Sequence, residues 1–542
     1  MTETQSRLAQ IWAKVLPNRS ARMFVPDSNF FDEGGHSILA QQMFFLLKKE
    51  WKDVDVPVSA IFQSQTLEAL AAEIDRAQDP IGLRLDAMPL KGDRDAEDEA
   101  YAADAKDLAR QLPESITKAA TELDYPNTPP TVFLTGATGF LGSYILHELL
   151  EGPAKARVVA HVRAKDAKDG LSRLQSIATS YGLWSPTWES RIEVVVGDIS
   201  KQQLGLTQPT WERVCKEVDV VIHNGAQVNW MLPYSSLRSA NVLSTMSCVE
   251  LCATGKAKRL AFVSSTSALD NDHYVDLSKT QGSVPEADDL EGSRKGLGTG
   301  YGQSKWASEF IVRQAGRRGL VGAIIRPGYV TGDPSSGITV TDDFLVRLWK
   351  GCLQVGARPD INNSLNAVPV TQVSKIVVSS ALQLPAAVGQ SLAVSQVTSH
   401  PRVTLNQWIA ALEAYGYQLP MIAYKDWSDK VTAYVNDDAQ KEEHALLPLF
   451  HFVTGDLPAN TIAPELDDAN AAAALKAYTK KEDPLAASVI DVSTIGSYLA
   501  YLVAAGFMPA PAEKGTLELP QLDEARLQAL ATGSLGGRSA RP

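Results

Sequence analysis

Long apolar runs, clustered cysteines and an excess of basic residues are all missing from this 542-residue chain. The longest apolar stretch, YLAYLVAAGFM near the C-terminus, falls well short of the ~18 residues that span a bilayer, so no membrane segment is expected. The opening MTETQSRLAQIWAKVL lacks a basic segment followed by an apolar core, which argues against a secretory signal. The four cysteines, Cys215, Cys248, Cys252 and Cys352, show no metal-ligand spacing and read as reduced thiols, with Cys248 and Cys252 one helical turn apart in a buried stretch. A formal net charge of −12 leaves no basic stripe to offset a nucleic acid. No internal repeat is present. The expectation is a soluble cytoplasmic protein with no metal site and no nucleic-acid or membrane partner.

The length excludes a single compact core. Leu8, Ile11, Trp12, Val15 and Leu16 recur at helical spacing, Ile38, Met43, Leu46 and Leu47 mark a second helix starting at or near Ser37, and TLEALAAEI gives a third, with Thr66 as its cap and Glu68 in its first turn. These helices predict a small bundle over residues 1–80. The charged KGDRDAEDEAYAADAKD and the turn-rich DYPNTPPT predict a linker over 81–127 carrying a partly ordered helix. From Thr131 the texture changes. TVFLT, RVVAHV, IEVVV, VDVVIHN and RLAFVSS are short β-branched runs separated by helical stretches, the pattern of a parallel sheet covered on both faces. The expected α/β unit covers 128–515, mainly nucleotide-binding over 128–335 and a smaller, mostly helical substrate subdomain over 336–515. A disordered tail is expected over 516–542.

VFLTGATGFLGSYILHELL sets Gly136, Gly139 and Gly142 between a strand and a helix. The first glycine allows a tight turn, the second a close approach to a pyrophosphate, and the third close packing of helix on strand. The next strand ends in Arg163, where a carboxylate would bind a ribose 2′-hydroxyl; a guanidinium there suits a 2′-phosphate, so NADPH is expected over NADH. Arg173 is a candidate second contact, Lys165 reads as an ordinary surface cation, and Asp198 stands at a third strand end, facing the adenine edge. YGQSKWASE puts Tyr301 and Lys305 on one helical face. Lysine charge favours ionisation of the phenol and can hold a ribose, while the phenol can pass a proton to an oxygen that gains charge. Tyr-x-x-x-Lys is common by chance. It counts here because it follows the glycine fingerprint and the hydroxyl-rich FVSSTS.

Together these motifs resemble the extended short-chain dehydrogenase/reductase family, a Rossmann fold. The resemblance implies Ser265 as the catalytic hydroxyl, with Thr266 the alternative if the register slips by one. It also implies Asn241 as the family's helix asparagine, RPGYVTG (326–332) as the nicotinamide-side segment, and Thr138, Phe140, Leu141, Ile199, Ala226, Lys305 and Pro327 as further cofactor contacts. DSNFFDEGGHSI resembles the core motif of a peptidyl or acyl carrier domain, a small all-α four-helix-type fold. That resemblance implies 4′-phosphopantetheine esterified to Ser37 and puts His36 on a recognition surface rather than in catalysis. As a plain helix cap, Ser37 would be structurally ordinary.

A carrier followed by a reductase resembles the terminal module of nonribosomal peptide synthetases and carboxylic acid reductases. AHVRAKD, ITVTDDFLVRLWKG, NAVPV, VTSHPR, APELDD and YLVAAGFMPAP narrow the resemblance to the C-terminal part of the fungal L-2-aminoadipate reductases, over residues 5–512. It implies reduction of a carrier-tethered acyl thioester to an aldehyde, the acyl group being 2-aminoadipate in lysine biosynthesis. It also implies as partners a phosphopantetheinyl transferase and an adenylation domain that is missing from this chain. A secondary-metabolite or aryl-acid reductase would differ only in substrate. A non-catalytic NADP-binding partner would be expected to lack Tyr301 or Lys305, and a sugar-nucleotide epimerase would leave Ser37 without a purpose.

Overall fold

The computed structural model describes residues 1–522 apart from 17–18, 31–32, 34–36, 52–60, 62–63, 79–90, 121–122, 126, 231, 384–391 and 437–443. The N-terminal unit is built on α1 (Glu3–Val15), α2 (Ser37–Glu50) and α3 (Leu67–Gln78). Thr2 and Gln5 close a capping box at the start of α1, satisfying donors that the first turn leaves free. The helical stripe of α1 is buried as its spacing requires, with Trp12 edge-on to Phe24 and Phe30 at 5.4 and 5.2 Å. Thr66 Oγ1 accepts from the Ala69 amide at 3.2 Å and so caps α3.

Helix α4 (Lys91–Arg110) corrects the linker expectation for 81–127. Tyr101, Ala105, Leu108 and Leu112 are buried in the core of the following domain, and Tyr101 Oη donates to the Ser293 carbonyl at 2.6 Å. Asp104 holds Arg238 through two 2.8 Å hydrogen bonds. Lys106, Asp107 and Arg110 are exposed along this helix, and its apolar residues are mostly alanines, a weak amphipathic signal.

Seven parallel strands form the central sheet: β1 (Thr131–Thr135), β2 (Arg157–Val162), β3 (Ile192–Val196), β4 (Val220–His223), β5 (Arg259–Val263), β6 (Val321–Pro327) and, beyond the short pair β7 (Tyr329–Thr331) and β8 (Ala367–Pro369), β9 (Leu392–Val397). Their spatial order is β3-β2-β1-β4-β5-β6-β9, which reverses direction between β1 and β4 and opens a crevice at those carboxyl ends. Alternation along each strand feeds two cores. Phe133, Leu260 and Phe262 face one layer with Trp306 and Ile311 from α6 (Gly300–Arg317); Val132, Leu134, Ala261 and Val263 face the other. That second layer contains α5 (Phe140–Glu151), α7 (Val370–Leu382) and α8 (Ala469–Thr479).

The boundary expected at 336 is therefore too simple. Strand β8, helices α7 and α8 and strand β9 return to the sheet layer, β9 supplying its edge strand, while a separate core around Phe344, Trp349, Trp408, Leu412, Trp427 and Leu499 forms the smaller subdomain. The Trp349 and Trp408 rings stack at 4.5 Å. Of the expected tail, Leu517 is tied to the Ala414 carbonyl at 2.8 Å, and 523–542 lie outside the described residues. All four cysteines are free and buried. No helix among the described residues is long and apolar enough to cross a membrane.

Candidate active site

The crevice at the β1–β4 reversal is a cleft of about 760 Å³. Gly136 ends β1 with φ +71°, and a Cβ there would lie 2.8 Å from Gly225 Cα. At Gly142 a Cβ would stand 1.9 Å from the Gly136 carbonyl oxygen, so only glycine lets α5 start so close to the strand. The N-terminus of α5 thus meets the cleft beside Thr138, Gly139, Phe140 and Leu141. Ser244 Oγ donates to the Ala240 carbonyl at 2.6 Å and so accepts from His223 Nε2–H, which leaves His223 Nδ1 to accept from the Thr135 hydroxyl at 2.9 Å; that hydroxyl in turn accepts from the Gly225 amide at 2.9 Å. His223 is then a neutral ring presenting Nε2–H to Ser244 Oγ at 3.1 Å, and burial pushes its pKa down to about 3. This chain fixes the loop that carries Ala226 into the cleft.

Arg163 leaves the end of β2 exposed to the cleft, and Arg173 donates to its carbonyl at 2.8 Å, so Arg173 also braces the strand end. Lys165 is exposed and does not line the cleft. Burial raises the Asp198 pKa, but hydrogen bonds from the Ser200 amide and hydroxyl, with the nearby Arg163 charge, outweigh it and hold the carboxyl below its usual range. Ile199 and Pro327 complete the expected cofactor contacts along the cleft.

Tyr301 and Lys305 enter from the first turns of α6. Lys305 Nζ donates to the Val263 carbonyl at 2.7 Å and lies 5.8 Å from the Tyr301 ring centre. Burial drives the lysine pKa down to about 7, against the opposing pull of Glu309. Asn241 joins the two sides of the cleft: its Oδ1 accepts from the Gln227 amide at 2.8 Å and its Nδ2 donates to Ser304 Oγ on α6 at 2.9 Å. The adjacent serines at the end of β5 have different fates. Ser264 points into the interior and donates to Glu309 at 3.0 Å, where Glu309 also pairs with the fully buried Arg326. Ser265 opens on the cleft and caps a short turn, accepting from the Ser267 amide at 3.1 Å. Thr266 and Ser267 line the same wall, so the one-residue alternative stays beside Ser265.

A nicotinamide dinucleotide fits these residues. The glycine turn offers backbone to a pyrophosphate in a space that any Cβ at Gly136 or Gly142 would fill, and Arg163, Tyr301 and Lys305 line the same cleft.

Several site residues escape the sequence reading. Trp230, Tyr329 and Phe452 form an aromatic wall, with ring centres 6.2 Å apart for Trp230–Tyr329 and 5.5 Å for Trp230–Phe452. Tyr329 lies within RPGYVTG and was within reach; Trp230 and Phe452 meet only through the fold. Asp270, five residues beyond Ser265, also lines the cleft. The N-terminal unit sits on the rim next to this wall. Gln65 Nε2 donates to Ser236 Oγ at 3.3 Å, Leu232 packs on the core of the small domain, and α2 contacts the turn Leu447–Leu449. Ser37 is the first residue of α2; its side chain and Gly34–His36 are outside the described residues.

Residues 6–74 match the family model described as a phosphopantetheine attachment site, and residues 134–377 match an NAD-binding family described as male sterility protein. The L-2-aminoadipate reductase large subunit of Penicillium chrysogenum is 48% identical over 551 residues, covering 99% of this chain and 39% of that protein. The chain thus spans about two fifths of the length of the curated relatives it matches. The crystal structure of the terminal R domain from the myxalamid PKS-NRPS biosynthetic pathway is 32% identical with a TM-score of 0.66, covering 76% of this chain and 99% of that one. A thiolation-reductase di-domain from an archaeal non-ribosomal peptide synthetase shares the fold over 93% of this chain and 97% of its own, with a TM-score of 0.66 at 18% identity.

Proposed function

Since this chain belongs to the family of carrier-linked reductase (R) domains found in nonribosomal peptide synthetases and L-2-aminoadipate reductases, we propose that it releases 2-aminoadipate from its own carrier as the 6-semialdehyde, using NADPH. The observation that supports this most is one cleft holding the glycine turn, Arg163, Ser265, Tyr301 and Lys305, with the carrier seated on its aromatic rim. Ser37 bears the phosphopantetheine arm, installed by a phosphopantetheinyl transferase and charged by an adenylating domain, in the cytoplasm. Trp230, Tyr329 and Phe452 exclude water from the end of the cleft that receives the thioester. Bound NADPH supplies the hydride. As the carbonyl oxygen gains charge, Tyr301 and Ser265 donate hydrogen bonds to it, and Tyr301 can deliver a proton. Lys305, while protonated, favours the ionised phenol and holds the ribose. The carbon–sulfur bond then breaks, giving aldehyde and free thiol. Tethering raises the local concentration of the acyl group, so weak contacts with it suffice.

The test is to load Ser37 with a series of acyl-pantetheines and follow NADPH oxidation. Preference for 2-aminoadipoyl over aryl and simple fatty acyl groups is expected; preference for an aryl acyl group would instead make this an aryl-acid reductase.

A further inference from the structure

One buried side chain in the cleft wall has no partner among the described residues. Asn366 lines the cleft and is only 3% exposed, and its Oδ1 is enclosed without a hydrogen bond. Its main chain serves the fold. The Asn366 carbonyl accepts from the Tyr329 amide at 2.8 Å, and Ala367 and Val368 continue in register with Tyr329 and Val330. Gly328 makes room for it, since a Cβ there would stand 2.1 Å from the Asn366 carbonyl oxygen and 3.0 Å from the Asn366 Cβ. Asn366 is thus held against the end of β6, beside β5, where the Ser264 amide donates to the Ile325 carbonyl at 2.7 Å. None of these backbone contacts needs the side-chain amide. A buried amide without a partner costs stability, so its presence in a cleft wall points to a group that arrives from the cleft.

We propose that Asn366 binds the carboxamide of the nicotinamide ring and so fixes which face of the ring meets the thioester. This inference rests on the NADPH reading above. A dinucleotide crosses the reversal of strand order with one nucleotide half on each side. With Arg163 at the end of β2 taking the adenosine half, the nicotinamide half lies over β4, β5 and β6, beyond whose ends Ala226, Ser265 and Pro327 line the cleft. Asn366 borders that half through Gly328. Lys305 holds the ribose there, which leaves the carboxamide as the polar group to be satisfied. It is flat and carries one acceptor and an NH2 donor. A side-chain amide is its reciprocal, Oδ1 accepting from the NH2 while Nδ2 donates to the carbonyl. A half-turn of the side-chain amide exchanges its two ends without moving the backbone. Asp270 and Asp343 also line the cleft, but an ionised carboxylate can only accept, so neither offers both bonds.

The experiment titrates the whole chain by calorimetry with NADPH and with its reduced 3-acetylpyridine analogue, in which a methyl ketone replaces the carboxamide and the NH2 donor is lost. Wild type, Asn366→Leu and Asn366→Ala are compared, the alanine variant serving should leucine overfill the site. The wild type is expected to bind NADPH about tenfold more tightly than the analogue, and each variant to lose most of that preference, as loss of neutral hydrogen bonds requires. Thermal unfolding without cofactor separates this from a structural role: Asn366→Leu should melt no lower than the wild type, because the amide has no internal bond to lose. A wild type that binds neither molecule sinks the NADPH reading itself. With NADPH bound, equal affinities for the two cofactors in the wild type, or a preference unchanged in the variants, overturns the role of Asn366. A slower single turnover with that preference intact also overturns it, by moving the amide to the acyl group.

Discussion

At the residue scale the chemistry depends on which groups hold charge and when. In the proposed mechanism the Tyr301 phenol contributes only as charge develops on oxygen, so Tyr301→Phe is expected to lower the hydride-transfer rate by at least about a hundredfold with little change in NADPH affinity. Stopped-flow single turnovers on loaded protein check this, and near-wild-type rates would remove the tyrosine from the reaction. Lys305 adds a pH dependence. Its pKa in the fold, about 7, lies below the ordinary lysine value, so the fold disfavours its charged form. That destabilisation is fully present below pH 7 and is relieved as pH rises toward the ordinary value. Activity should run the other way, because in the proposed mechanism the cationic form assists Tyr301: the single-turnover rate should fall as pH climbs through about 7, and a flat profile to pH 9 would contradict it. Arg163→Ala should weaken NADPH roughly tenfold while barely altering NADH, a modest figure because the guanidinium is solvent-exposed. Equal losses for both cofactors, measured by titration of nicotinamide fluorescence, would make Arg163 structural.

At the scale of elements, legibility followed how local each cause is. The turn between β1 and α5 was readable because its glycines answer to contacts a few residues away, such as Gly142 against the Gly136 carbonyl. Tyr301 and Lys305 were readable because one helical turn sets their common face. The helix within 81–127 is legible but its packing on the next domain is not, because its buried side rests on alanines and its partners, Trp306 and Arg238, lie far along the chain. Trp230 and Phe452 had no local signal at all, their meeting being a product of the whole fold. The consequence for α4 can be measured. A reductase shortened to begin at residue 128 loses the burial of Tyr101, Leu108 and Leu112 and should be less stable than one beginning at 91 by about 5 kcal/mol or more. Thermal unfolding of the two proteins decides it, and equal melting temperatures would return α4 to the status of a linker.

At the scale of the whole molecule, a carrier seated on the rim of a reducing cleft connects a serine with no catalytic neighbours to a tyrosine and lysine more than 260 residues later. In the proposed reaction, tethering would let the product leave at the aldehyde. Once the thioester breaks, the acyl group loses the high effective concentration that held it in the cleft, although Tyr301 and Lys305 could in principle reduce it again. The most direct measurement is therefore the count of NADPH oxidised per acyl chain in a single turnover of Ser37-loaded protein with NADPH in excess. The account predicts one equivalent, with the semialdehyde as product and no oxidation in Ser37→Ala. Two equivalents, with 2-amino-6-hydroxyhexanoate as product, would contradict it.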